Sequence, residues 1–100
     1  MREIRLARMG KTRPVVLLTR EAVREYRPWV TIAPITSTVR DLGFEVAVGA
    51  ANGLESSGVI NCDAIQTVHV TDLGRRVGYL GDEQELALTA AIHYALDLHT

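Results

Sequence analysis

A cation, a hydroxyl and a proline stand together at Lys11-Thr12-Arg13-Pro14, directly before the apolar run Val15-Val16-Leu17-Leu18. A guanidinium offers five donors in a planar fork and can grip two phosphate oxygens at once, which the point charge of a lysine cannot do. At the start of a buried strand, Arg13 has its backbone fixed while its side chain can meet an anion. The same arginine could also be a solubilising charge beside a strand. Three hydroxyls follow at Thr36, Ser37 and Thr38, where they could hold a phosphate or close an ordinary turn. Farther on, Asn61, Asp63 and Gln66 cluster. Their amides carry both donor and acceptor, so they can read the edge of a base or satisfy turn backbone. Lys11, Arg40 and Arg8 are the cations that could position phosphates around these groups.

Placing such groups needs a sheet. Ile4 and Leu6 alternate with Arg5, and a tight turn at Met9-Gly10-Lys11 leads into the second strand. Pro14 cannot donate to a ladder, so it is expected at that strand's first position. Arg20 to Pro28 reads as a charged connection with Tyr26 packed locally, and Trp29 to Ala33 as a strand that Pro34 assigns to an edge or a bulge. Phe44, Val46 and Val48 alternate with polar or small residues, and Gly49 to Gly58 is a loop. Val59 to Cys62 and Ile65 to Val70 are short strands, Asp72-Leu73-Gly74 turns, and Arg75 to Leu80 forms a last strand. Asp82 and Glu85 have capping-box spacing, ahead of a helical stripe of Leu88, Ala91, Ile92, Ala95 and Leu98. The residues therefore imply one mainly β domain over 1–100, a partly closed barrel with a C-terminal helix.

Composition narrows the chemistry. One hundred residues at 47% hydrophobic content suffice for one core without disulfides. The formal charge of -1 excludes a uniformly basic surface, yet eight of the eleven basic residues lie between Arg2 and Arg27. Cys62 is the only cysteine, so it can form no intramolecular disulfide and reads as a small buried hydrophobe. The three histidines have no metal-site spacing, and neither GxxxxGK nor GxGxxG is present. No cofactor and no metal are called for. The charged N-terminus lacks an apolar signal region and no apolar run approaches membrane-spanning length, so a cytoplasmic location with no membrane partner is expected.

Lys11-Thr12-Arg13-Pro14-Val15-Val16, Pro34-Ile35-Thr36-Ser37, Glu45-Val46, Asn52-Gly53-Leu54 and Asn61 to Val68 ending in Asp72-Leu73-Gly74 resemble, in order, the successive blocks of the MazF/PemK family of toxin endoribonucleases. That resemblance implies an SH3-like, partly open β-barrel, a homodimer, and neutralisation by a cognate antitoxin. It implies metal-independent, sequence-specific cleavage of single-stranded RNA, messenger RNA above all, with ribosomal or transfer RNA as further substrates. Arg13 corresponds to the family's catalytic arginine and Thr36 to its catalytic threonine or serine. Lys11, Ser37, Thr38, Arg40, Asn61 and Gln66 are the residues expected to bind RNA. The family usually carries a longer glycine-containing loop before its KxRPVV block, whereas here Met9, Gly10 and Lys11 suffice. Two alternatives share the fold: a member that binds RNA or antitoxin without cutting, and a gyrase-poisoning toxin. The latter's aromatic C-terminal tripeptide has no counterpart in Leu98-His99-Thr100.

Overall fold

The computed structural model describes residues 1–98, so His99 and Thr100 lie outside the described residues. Strands β1 (Glu3–Met9) and β2 (Lys11–Leu17) form an antiparallel hairpin in which Met9 already pairs with Lys11. Gly10 alone makes the turn, at φ +80, a left-handed conformation that favours glycine. Lys11 is thereby set at the hairpin tip.

Pro14 does not open its strand, since β2 begins at Lys11 and Pro14 pairs with Leu6. Antiparallel alternation explains why this is tolerated. Leu18 N–H donates to Thr31 O at 2.8 Å, so even-numbered residues of β2 aim their N–H groups at β3 (Trp29–Thr36). The β2–β3 ladder covers only Val15 to Leu17. Pro14 lies one step before it, and the donor it lacks would point where that ladder has ended.

The expectation of an edge position for Pro34 is corrected in the same way. Strand β3 is central: it pairs with β2 on one side and with two strands in succession on the other. Its residues Trp29 to Ile32 face β6 (Gln66–His69), whereas Ile35 and Thr36 face β5 (Gly58–Asn61). By the alternation that directs Thr31 toward β2, the N–H missing from Pro34 would point to this second side, where β3 changes partners. With β4 (Glu45–Val48) and β7 (Leu73–Tyr79) at the ends, the antiparallel order is β4-β5-β3-β2-β1-β7, with β6 beside β3. The sheet curls into an open half-barrel.

Consecutive residues of β2 enter two different cores. Val16 packs with Ile4, Ile35, Ile60 and Leu88, while Val15 and Leu17 pack with Ala7, Ile32 and Val68. Burial on both faces is why this strand reads as a continuous apolar run. Helix α1 (Glu21–Arg24) is a single turn with no buried residue, and Tyr26, expected to pack locally, is 81% exposed.

Helix α2 (Asp82–Ala95) buries Leu88 and Ala91 on the first core, with Ile92 and Ala95 against it. Leu98 does not extend that stripe; the helix ends at Ala95, Asp97 takes φ 53, and Leu98 is half exposed. Nor does Asp82 cap with Glu85. The N-cap is Gly81, whose N–H donates to Gln84 Oε1 at 2.8 Å, and Glu85 instead receives Arg2 Nε and Nη2 at 2.7 to 2.9 Å. Among the described residues no helix is long and apolar enough to cross a membrane.

Candidate active site

Where β2 and β3 part after their two prolines, a cleft of about 420 Å³ opens. Thr12, Arg13 and Pro14 line one side, Ile35 to Ser37 another, and the segment 53–58 forms a wall. Leu6 of β1 and Arg75 and Val77 of β7 close it. Both prolines border the site: Pro14 lacks a donor where β2 leaves β3, and Pro34 lacks one on the opposite side, where β3 exchanges β6 for β5.

Arg13 is half buried in this cleft, and its Nε is buried without a hydrogen-bond partner. Among the described residues no carboxylate lies within ion-pair distance of it. A buried donor left unpaired is costly, and a bound anion would satisfy it. Thr36 ends β3, and its Oγ1 accepts from Thr38 N–H at 3.2 Å. The hydroxyl proton is left available to a ligand. Ser37 lines the same cleft, whereas Thr38 is exposed and serves through its backbone. Lys11, exposed at the hairpin tip, lies two positions from Arg13 on one strand and so shares its face.

The remaining candidates lie elsewhere. Arg40 is exposed; its N–H and that of Asp41 donate to the Glu45 carboxylate at 2.7 to 3.2 Å, which ties down the segment after Ser37. Asn61 lies at the far end of β5, where its Oδ1 accepts from Asp63 N–H at 2.9 Å and caps a 3₁₀ turn. Gln66 is exposed at the start of β6, opposite Ile32. Arg8 reaches Asp72 at 3.9 Å in a well-solvated pair. The fold therefore gathers Arg13, Thr36 and Ser37, holds Lys11 beside them, and leaves Arg40, Asn61 and Gln66 outside the cleft.

Two contributors were not evident from residue type. One is the buried Asn52, which fixes the cleft wall: its Nδ2 donates to Tyr79 O at 2.9 Å and Gln84 Oε1 at 2.6 Å, and its Oδ1 accepts from Gly49 N–H and Gln84 Nε2 at 3.0 Å. Gln84 in turn donates to Ala47 O at 3.0 Å. Two glycines let the wall approach β7, because a Cβ on Gly53 would collide with Val77 O and one on Gly78 with Asn52 O. The Asn52-Gly53 block signalled a turn, but nothing in sequence linked it to Gln84. The other is Arg75, for which adjacent arginines between Gly74 and Gly78 were the only signal.

Cys62 is buried, and burial pushes its thiol up to about 11, so it is no nucleophile at neutral pH. Among the described residues no group of three His, Cys, Asp or Glu could hold a metal ion.

Comparison with known proteins identifies this architecture. Residues 3–96 match the PemK-like, MazF-like toxin of type II toxin-antitoxin system. The chain is 54% identical over 98 residues to endoribonuclease MazF3 of Mycobacterium tuberculosis, covering 98% of this chain and 95% of that protein. Among solved structures, the Mycobacterium tuberculosis toxin MazF-mt6 superposes with TM-score 0.95 at 52% identity, covering 98% and 99% of the two chains. An endoribonuclease in complex with its cognate antitoxin, from a mycobacterial species, shares the fold at TM-score 0.88 and 23% identity over 98% and 94%. This chain belongs to the PemK-like, MazF-like toxins of type II toxin-antitoxin systems.

Proposed function

We propose that the protein is an endoribonuclease toxin that cuts single-stranded RNA by attack of a ribose 2′-OH on the adjacent phosphorus. The P–O5′ bond breaks, leaving a 2′,3′-cyclic phosphate and a 5′-OH; the nucleophile loses a proton and the leaving oxygen gains one. Arg13 holds the non-bridging oxygens as negative charge builds on the phosphorane, and Thr36 donates its hydroxyl proton to the same phosphate and orients it. An aligned donor of this kind lowers the barrier by about 3 kcal/mol. Arginine is a poor proton acceptor because its guanidinium keeps its charge, so Arg13 acts as an electrostatic group. Lys11 and Ser37 hold nucleotides beside the scissile phosphate, and Thr38, Arg40, Asn61 and Gln66 contact RNA beyond the cleft.

The observation that carries this reading is the buried, unpartnered Arg13 Nε in a cleft shared with the free hydroxyl proton of Thr36. The toxin acts in the cytoplasm as a homodimer and is held inactive by an antitoxin whose acidic segment occupies the Arg13 cleft. Incubation with a synthetic RNA, with analysis of end groups, tests the chemistry. Wild type is expected to yield cyclic phosphate ends, and folded Arg13→Ala to yield none. Near wild-type cleavage by Arg13→Ala would overturn the assignment, and binding without cleavage by wild type would make the protein a non-cutting member of the fold.

A further inference from the structure

We propose that Arg75 is a second phosphate-holding residue of the cleft, taking a phosphodiester next to the one at Arg13; this rests on the ribonuclease reading above. The backbone is built to present it. Between Arg5 and Ala7, β1 advances two residues, whereas β7 advances three, from Leu73 to Arg76. The extra residue falls at Gly74–Arg75, opposite Leu6, and such a bulge redirects the side chain that follows. Arg5 secures it by donating Nε and Nη2 to Gly74 O at 2.9 and 2.7 Å.

The two adjacent arginines then have different surroundings. Arg76 lies over the Tyr79 ring, its Cζ 4.9 Å from the centroid. Arg75 lines the cleft with Arg13, exposed and, among the described residues, without an ion pair. Glu55 also lines the cleft but lies within ion-pair distance of neither arginine. Two guanidinium groups in one cleft repel each other, and a polyanion running between them reverses that term. A single phosphate would engage only one of them, so the ligand implied is an RNA with at least two consecutive phosphodiesters.

The test measures Kd against salt for an oligonucleotide whose scissile 2′-OH is replaced by hydrogen, alongside kcat and KM on the cleavable RNA. Arg75→Ala is expected to raise Kd and KM about tenfold, reduce the salt slope by about 0.7, and leave kcat within about twofold. Arg75→Lys should retain the slope and Arg76→Ala should behave as wild type. Unchanged Kd and slope in Arg75→Ala, or an equal loss in Arg76→Ala, would overturn the inference. If wild type binds this RNA but does not cut its cleavable form, the ribonuclease reading fails, while Kd and salt slope still decide the role of Arg75.

Discussion

Arginine has several fates in this molecule, and the partner decides each. Arg2 is bonded to Glu85 and Arg76 covers Tyr79; Arg24 and Arg13 each bury an Nε without a partner, but Arg24 reaches Glu3 at 2.8 Å through its Nη1, whereas among the described residues Arg13 meets no carboxylate. Arg13→Lys keeps the charge but loses the fork, so its kcat is expected to fall about 10²- to 10³-fold, nearly as far as that of Arg13→Ala. Steady-state kinetics on one RNA would show this, and substantial rescue by lysine would mean that a point charge suffices. Hydrogen bonds from Arg2, and then its charge and that of the N-terminus, hold the Glu85 carboxyl below its ordinary 4.5, against the opposing effect of burial. A depressed folded-state value contributes stability that is present above the unfolded value and lost as pH falls through the folded one. The wild-type thermal midpoint should therefore drop below pH 4.5 more steeply than that of Glu85→Gln. With the carboxylate 41% exposed, the difference is small.

At the level of elements, the Asn52–Gln84 amide pair joins the loop after β4, the end of β7 and the start of α2. Asn52→Ala removes the side-chain bonds to Tyr79 O, Gly49 N–H and Gln84, of which Gln84 keeps its other partners, Gly81 N–H and Ala47 O, and should cost about 2–3 kcal/mol in a denaturant melt. Because the same pair fixes the cleft wall, RNA affinity should fall with it; full affinity in this variant would show that the wall stands without the pair. Arg13 and Thr36 were legible because family-like blocks frame them, and the strands because their apolar periodicity is local. The edge position expected at Pro34 failed for a physical reason, though the irregularity given as its alternative is there: a proline excludes a donor on one side only, and sequence does not show that β3 exchanges β6 for β5 at that point. The cap was misread because Gly81 and Gln84 act through backbone and amide, while Glu85 was drawn to Arg2, far away in sequence. Which of Arg75 and Arg76 would line the cleft was not legible, because a bulge exists only between two strands. Asn61 and Gln66 were read from amide chemistry, and their placement outside the cleft sets their test: alanine at either should leave kcat unchanged and alter preference only at nucleotides flanking the cut.

At the scale of the whole molecule, the proposed chemistry needs no metal, since a guanidinium and hydroxyls carry the developing charge. Cleavage is expected to persist in excess EDTA; loss of activity restored by a divalent ion would contradict that mechanism. An antitoxin segment that occupies the Arg13 cleft should compete with RNA, so raising RNA concentration should relieve inhibition. The order of the strands has one more result. Strand β1 lies between β2, its immediate successor, and β7, whose residues pair with it across most of the chain. The cleft takes Arg13 from the first of these neighbours and Arg75 from the second, and Arg2 joins Glu85 only when both ends are present. During synthesis the ribosome therefore carries a polypeptide that already contains Arg13 but has no finished cleft around it. A toxin that attacks RNA is made beside its own messenger, and this topology delays the completed cleft until β7 has been made.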